Sequence, residues 1–134
     1  MGTLSAVNPP GWKRPSGYSN GIVGRGTLVF VAGQIGWNGQ EQFESDDFVA
    51  QVRQALRNTV DVLAAAGAKP EHIARMTWFV LDKKEYLKRI SEVGVAYRDT
   101  VGRHFPAITL VEVRALVVDR AKIEIESTAV IPDA

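Results

Sequence analysis

The chain has 134 residues, 46% apolar and 23% charged, a length and balance suited to one globular domain, residues 1–134, with a buried core. Its 16 basic and 15 acidic side chains leave a formal net charge of +1, too little for a bulk field that recruits nucleic acid or an anionic membrane. Cysteine is absent, which excludes disulfides, thiolate catalysis and cysteine-ligated metal.

No long apolar run marks a signal peptide or a membrane span, so the expected location is cytoplasmic. Residues 1–17 are rich in proline and glycine (Pro9, Pro10, Gly11, Pro15, Gly17) and are expected to form an irregular arm anchored by Trp12, because proline lacks the donor that a ladder or helix needs. Two short β-type runs follow, residues 18–23 and 27–32, separated by Gly24-Arg25-Gly26, which suits a tight hairpin. The run Leu28-Val29-Phe30-Val31-Ala32 is nearly all apolar and predicts a central strand. Three glycines in Gly33-Gln34-Ile35-Gly36-Trp37-Asn38-Gly39 allow close backbone approach, but the spacing is not that of a dinucleotide fingerprint.

Ser45 can cap a helix with Asp46 and Asp47 in its first turn, and Phe48, Val49, Val52, Leu56, Val60 and Leu63 give it one apolar stripe ending at Gly67. Gln51, Arg53, Gln54, Arg57 and Asn58 are assigned to its solvated side. Residues 73–81 read as a strand apolar on both faces and so covered on both. Asp82 can cap a second helix over residues 83–101, with a stripe of Tyr86, Ile90, Val93 and Tyr97 and a weak point at Gly94. After the Phe105-Pro106 corner, two β-type runs, residues 107–113 and 122–131, are expected to close the chain as a hairpin.

The element order is therefore ββαβαββ, an α+β domain with two helices packed on one face of a mixed sheet. Strand parity assigns Ile108, Leu110, Glu112, Glu124 and Glu126 to the opposite face. Such a mixture suits neither open water nor a dry core, and symmetric association with polar clefts between subunits resolves the conflict. Only His72 and His104 are present, in no metal-ligand spacing, so no metal is expected. No G-x-S-x-G element or P-loop occurs. Glu124 stands out as a strand carboxylate able to hold a water or shuttle a proton; pairing with an arginine across the sheet is the alternative.

In order along the chain, Gly17-Tyr18-Ser19, Ala32-Gly33-Gln34-Ile35, Leu63-Ala64-Ala65-Ala66-Gly67, Phe105-Pro106-Ala107 with Val111-Glu112-Val113, and Lys122-Ile123-Glu124-Ile125-Glu126 resemble the RidA/YjgF family of enamine/imine deaminases over nearly the whole chain. The resemblance implies a chorismate-mutase-like fold and a homotrimer whose sheets form a barrel, with small-molecule pockets between subunits and no cofactor. It assigns the water-positioning role to Glu124 and ligand contacts to Tyr18, Gly33, Gln34, Ile35 and Phe105. The family's arginine, which clamps the carboxylate of a 2-imino or 2-enamino acid, falls at Ile108. A charge-assisted contact of that kind contributes about 1.5–3 kcal/mol. The implied activity is hydrolysis of an imine or enamine other than the usual 2-imino acids, with Arg14, Arg103 or His104 as substitute cations. The alternative is a non-catalytic trimeric binding or interaction module; RNA cleavage is disfavoured by the balanced charge and the lack of a basic patch.

Overall fold

A computed structural model describes residues 4–133; residues 1–3 of the expected arm and Ala134 lie outside it. Its strands are β1 (Ser5–Val7), β2 (Gly21–Val23), β3 (Gly26–Ile35), β4 (Ile73–Val80), β5 (Ala107–Glu112) and β6 (Ile123–Pro132). Its helices are α1 (Phe48–Ala65), α2 (Lys83–Lys88) and α3 (Ile90–Thr100), with a single 3-10 turn at Pro70–His72 before β4. The fold is α+β: with the broken helix α2–α3 counted once and β1 set aside, the order is the expected ββαβαββ.

Helix α1 forms where its apolar spacing requires. Phe48, Val52, Ala55, Leu56 and Leu63 are buried on the sheet, and each large side chain among them stabilises by about 1.5–3 kcal/mol. The cap is Asp47 rather than Ser45: the Asp47 carboxylate accepts from the Ala50 amide at 3.0 Å, and Ser45 Oγ accepts from the Asp47 amide one step earlier. Arg89 hydrogen-bonds to Asp47 and holds its carboxyl below the usual carboxylate range, helped by the Ala50 amide. Gln51 was assigned to solvent but is buried. Its amide nitrogen donates to the carbonyls of Ser45 and Arg120, and its Oε1 accepts from the Lys122 amide. Asn58 is also more than a surface residue, donating to the carbonyls of Ile35 and Trp37. These two amides tie α1 to the loops that deliver β6 and leave β3. Replacing Gln51 by leucine is expected to lower stability by about 1–3 kcal/mol, because buried backbone groups lose their partners; a chemical-denaturation midpoint measures it.

The second helix breaks at Arg89, five residues before Gly94, where the weak point was expected. Asp82 caps α2 as expected, accepting from the Lys84 and Glu85 amides. Arg89 then bridges α1 and α3 through Asp47 and Glu92.

The four-stranded sheet has the order β3-β6-β4-β5, with β4 and β5 parallel and both pairs involving β6 antiparallel. Three sequence expectations are corrected by it. β3 is an edge strand, and its Leu28 and Phe30 are 55% and 74% exposed. β2 pairs with β1, so the first hairpin is replaced by a two-stranded ribbon that the arm itself enters. β5 and β6 are not a hairpin, because β4 lies between them. Chain adjacency suggests pairing of β5 with β6, whereas the α2–α3 crossover lets β4 pair with both.

Register then reverses half of the parity assignment. Met76, Trp78 and Val80 face the helices, and their partners on β5 are Ile108, Leu110 and Glu112. Those three therefore lie on the helix side, with Glu112 accepting from the Lys83 amide at the start of α2. On β6 the partners of Thr77 and Phe79 are Glu126 and Glu124, so both glutamates lie on the face without helices. Thr77 and Phe79 are only half-buried there; β4 is covered on one face within one chain, not two. No helix among the described residues is long and apolar enough to cross a membrane.

Candidate functional site

The seven residues singled out as catalytic or ligand-contacting divide into two groups on opposite faces of the sheet. The first surrounds a cavity of about 380 Å³ between the sheet and α2–α3. Tyr18, Phe105 and Ile108 line it together with Trp78, Tyr86 and Tyr97. Tyr18 reaches this cavity because the segment before β2 is fastened to the start of β5. Ser19 Oγ donates to the Phe105 carbonyl at 2.6 Å, and the Ser19 amide donates to the Pro106 carbonyl at 3.0 Å. Gly17 makes the turn into that strap at φ +81°, a conformation side chains disfavour.

The aromatic walls are ordered by one another. Tyr97 and Phe105 stack with ring centroids 6.0 Å apart, Trp78 tilts against Tyr97 at 6.4 Å, and the Tyr97 hydroxyl donates to the His104 carbonyl. Burial pushes the Tyr97 phenol far above its ordinary range and that of Tyr86 upward as well, so both are neutral near pH 7. Ile108 sits among these rings, half-buried and packed on the core. The cavity is lined mainly by carbon, as an isoleucine at that position implies.

The second group lies on the other face, where β3 is irregular. The register between β3 and β6 shifts between Val31 and Gln34, and the Glu124 side chain lies against Gly33 in that bulge. A β-carbon at Gly33 would stand 2.3 Å from Glu124 Oε2, so only glycine leaves the carboxylate where it is. Gln34 is half-buried beside it and donates to the Ala32 carbonyl, while Ile35, the partner of Glu124 in register, is buried. Among the described residues Glu124 has no ion pair, so the cross-sheet arginine considered from sequence is not its partner.

The expectation of one pocket wall carrying both Ile108 and Glu124 is thus corrected: within a single chain the sheet separates them. Of the three substitute cations considered, His104 hydrogen-bonds through Nε2 to the Ile73 carbonyl at 2.7 Å, and neither Arg14 nor Arg103 lines the cavity. Sequence reasoning missed Trp78, Tyr86, Tyr97 and Arg98. Three of these belong to apolar stripes that read simply as core, and their aromatic content was the one available signal.

The sequence pattern described as endoribonuclease L-PSP matches residues 12–131. A 2-iminobutanoate/2-iminopropanoate deaminase of Salmonella typhimurium is 35% identical over 131 residues, covering 96% of each chain. A RutC family protein of Haemophilus influenzae is 34% identical, over 78% of this chain and 80% of its own. Among solved structures, a Rid-family protein of unknown function from Yersinia pestis superposes with a TM-score of 0.84 at 27% identity, over 96% of this chain and 99% of that one.

Proposed function

Because the chain belongs to the endoribonuclease L-PSP family, the RidA/YjgF group of its deaminase relatives, we propose that it hydrolyses an imine or enamine other than the small 2-imino acids. The observation that carries this reading is the close contact between the Glu124 carboxylate and the Gly33 backbone at the β3 bulge. A carboxylate placed there can accept a proton from water as the water's oxygen attacks the C=N carbon. The proton then passes to nitrogen, the carbinolamine collapses, and ammonia leaves with a carbonyl compound as the other product. Recognition falls to the aromatic cavity around Ile108, where the apolar lining disfavours the bare carboxylate of a small 2-imino acid.

The two groups can serve one substrate only if different copies contribute them. β3 and β5 are the two outer strands of the sheet, and the face bearing Glu124 also exposes Leu28, Phe30 and Val111, an apolar surface a neighbouring copy would cover. A homotrimer that joins the Glu124 face of one copy to the cavity of the next would complete three sites between subunits.

Mixing of variants tests this arrangement. Glu124→Gln and Leu110→Trp, the second filling the cavity, should each release little ammonia from an imine substrate. Co-refolded in equal amounts they should recover activity at about a quarter of the sites, since random cyclic assembly places an intact cavity beside an intact carboxylate that often. Light scattering should report a trimer throughout. A monomer, or no recovery on mixing, would overturn the shared site. A trimer that binds ligands without releasing ammonia would instead be a binding module.

A further inference from the structure

Arg98 on α3 also lines the cavity, and among the described residues it is the one charged side chain in that lining. Arg53, Arg89 and Arg120 are held in ion pairs with Asp99, with Asp47 and Glu92, and with Asp46 respectively. Arg98 has no carboxylate within ion-pair distance among the described residues. It is exposed and follows Gly94 by one helical turn, and its guanidinium lies across that glycine, with one nitrogen 3.2 Å from where a β-carbon at position 94 would stand. The absence of a side chain at Gly94 thus gives Arg98 room along the cavity wall. Deeper in the same cavity, Trp78 is 4% exposed and its indole N–H is buried without a hydrogen-bond partner. A buried donor left unpaired is destabilising, and a ligand acceptor that reached it would relieve it.

We infer that the cavity takes a small carboxylate with an aromatic body, anchored at its anionic end by Arg98. The inference rests on the proposal that this cavity is the recognition half of the site, and it names the substrate class. The stacked Tyr97 and Phe105 rings offer a flat wall for the apolar body. Arg98 offers a planar fork that matches a carboxylate in two hydrogen bonds. Trp78 offers a single donor to a carbonyl or imine-derived acceptor. The carboxylate is thereby recognised from α3 rather than from Ile108 on β5, which moves the anion to the exposed end of the cavity and leaves the apolar end for the ring. Small 2-imino acids have no apolar body to span that distance.

Direct binding of non-reactive probes separates this inference from the chemistry at Glu124. The probes are 3-phenylpropanoate and its uncharged amide, titrated into the full-length protein by calorimetry with tryptophan fluorescence as a second readout. The acid is expected to bind at least 10-fold more tightly than the amide. Arg98→Gln should abolish that preference and weaken acid binding about 10- to 100-fold, the range set by one charge-assisted contact. Val95→Gln, on an exposed position of α3 that does not line the cavity, should leave both affinities unchanged. Equal binding of acid and amide, an unaltered preference in Arg98→Gln, or no binding of either probe at millimolar concentration would each overturn the inference. Glu124-dependent ammonia release from other imines would still stand in any of those cases, so failure of the anchor is distinguishable from failure of the proposed reaction.

Discussion

Glu124→Gln is expected to lower imine hydrolysis by roughly 10²–10⁴-fold with little change in ligand affinity. Loss of a positioned general base has an effect of that size, and the cavity proposed to bind the ligand lies on the other face of the sheet. The amide keeps the shape of the carboxylate but cannot accept the water's proton at neutral pH. Gly33→Ala supplies an independent measure of the same group. Its methyl would stand 2.3 Å from Glu124 Oε2, and the atom in its way is the end of a flexible side chain. The carboxylate should therefore swing aside at small cost in stability. Steady-state ammonia release and a thermal-unfolding midpoint, measured on both variants, check the pair. The expected pattern is a large loss of turnover in each, with midpoints close to that of the unmodified protein. Full activity in either variant would remove Glu124 from the chemistry.

Ile108→Arg is expected to act in the opposite direction. The resemblance to RidA/YjgF deaminases implies an arginine at this position, and here an isoleucine packs beside Met76 and the aromatic wall. Restoring the guanidinium should raise hydrolysis of 2-iminobutanoate, generated in place by a dehydratase, by roughly 10- to 100-fold in kcat/KM. That is the factor one charge-assisted contact of about 1.5–3 kcal/mol supplies. The gain should disappear in the Ile108→Arg, Glu124→Gln double variant. A long cation in a half-buried aromatic cavity carries a desolvation cost, so some loss of thermal stability is expected alongside the gain. No gain in a well-folded variant would mean that position 108 does not face the reacting group.

How far the sequence could be read follows from what each element depends on. Helix α1, the Asp82 cap and β4 depend on local periodicity and capping chemistry, and the structure has all three, with α1 starting at Phe48 behind the Asp47 cap rather than behind Ser45. Gln51 shows the limit of residue type as a guide. Its position, three after Phe48 and four before Ala55, lies on the buried stripe, yet its amide suggested solvent. Three hydrogen bonds to loop backbone explain its burial, and partners 69 and 71 residues distant cannot be seen in a helical window. The face carrying Ile108 was misassigned for a similar reason. Alternation along β5 and along β6 was read correctly within each strand, but relative register depends on β4 lying between them. The proposed site residues were individually nameable; their division into two groups required the strand order.

That strand order has a consequence for how such a protein can change over generations. Ile108 and its neighbours contact the helices, whereas Glu124 and Gly33 contact each other across the β3 bulge on the reverse side. Within one chain, a substitution in the cavity does not have to be accommodated by that chain's own carboxylate, because the backbone of the sheet stands between them. Cavity residues can therefore change one at a time without unfolding the β3 bulge, and the carboxylate proposed to act in hydrolysis keeps its place beside Gly33.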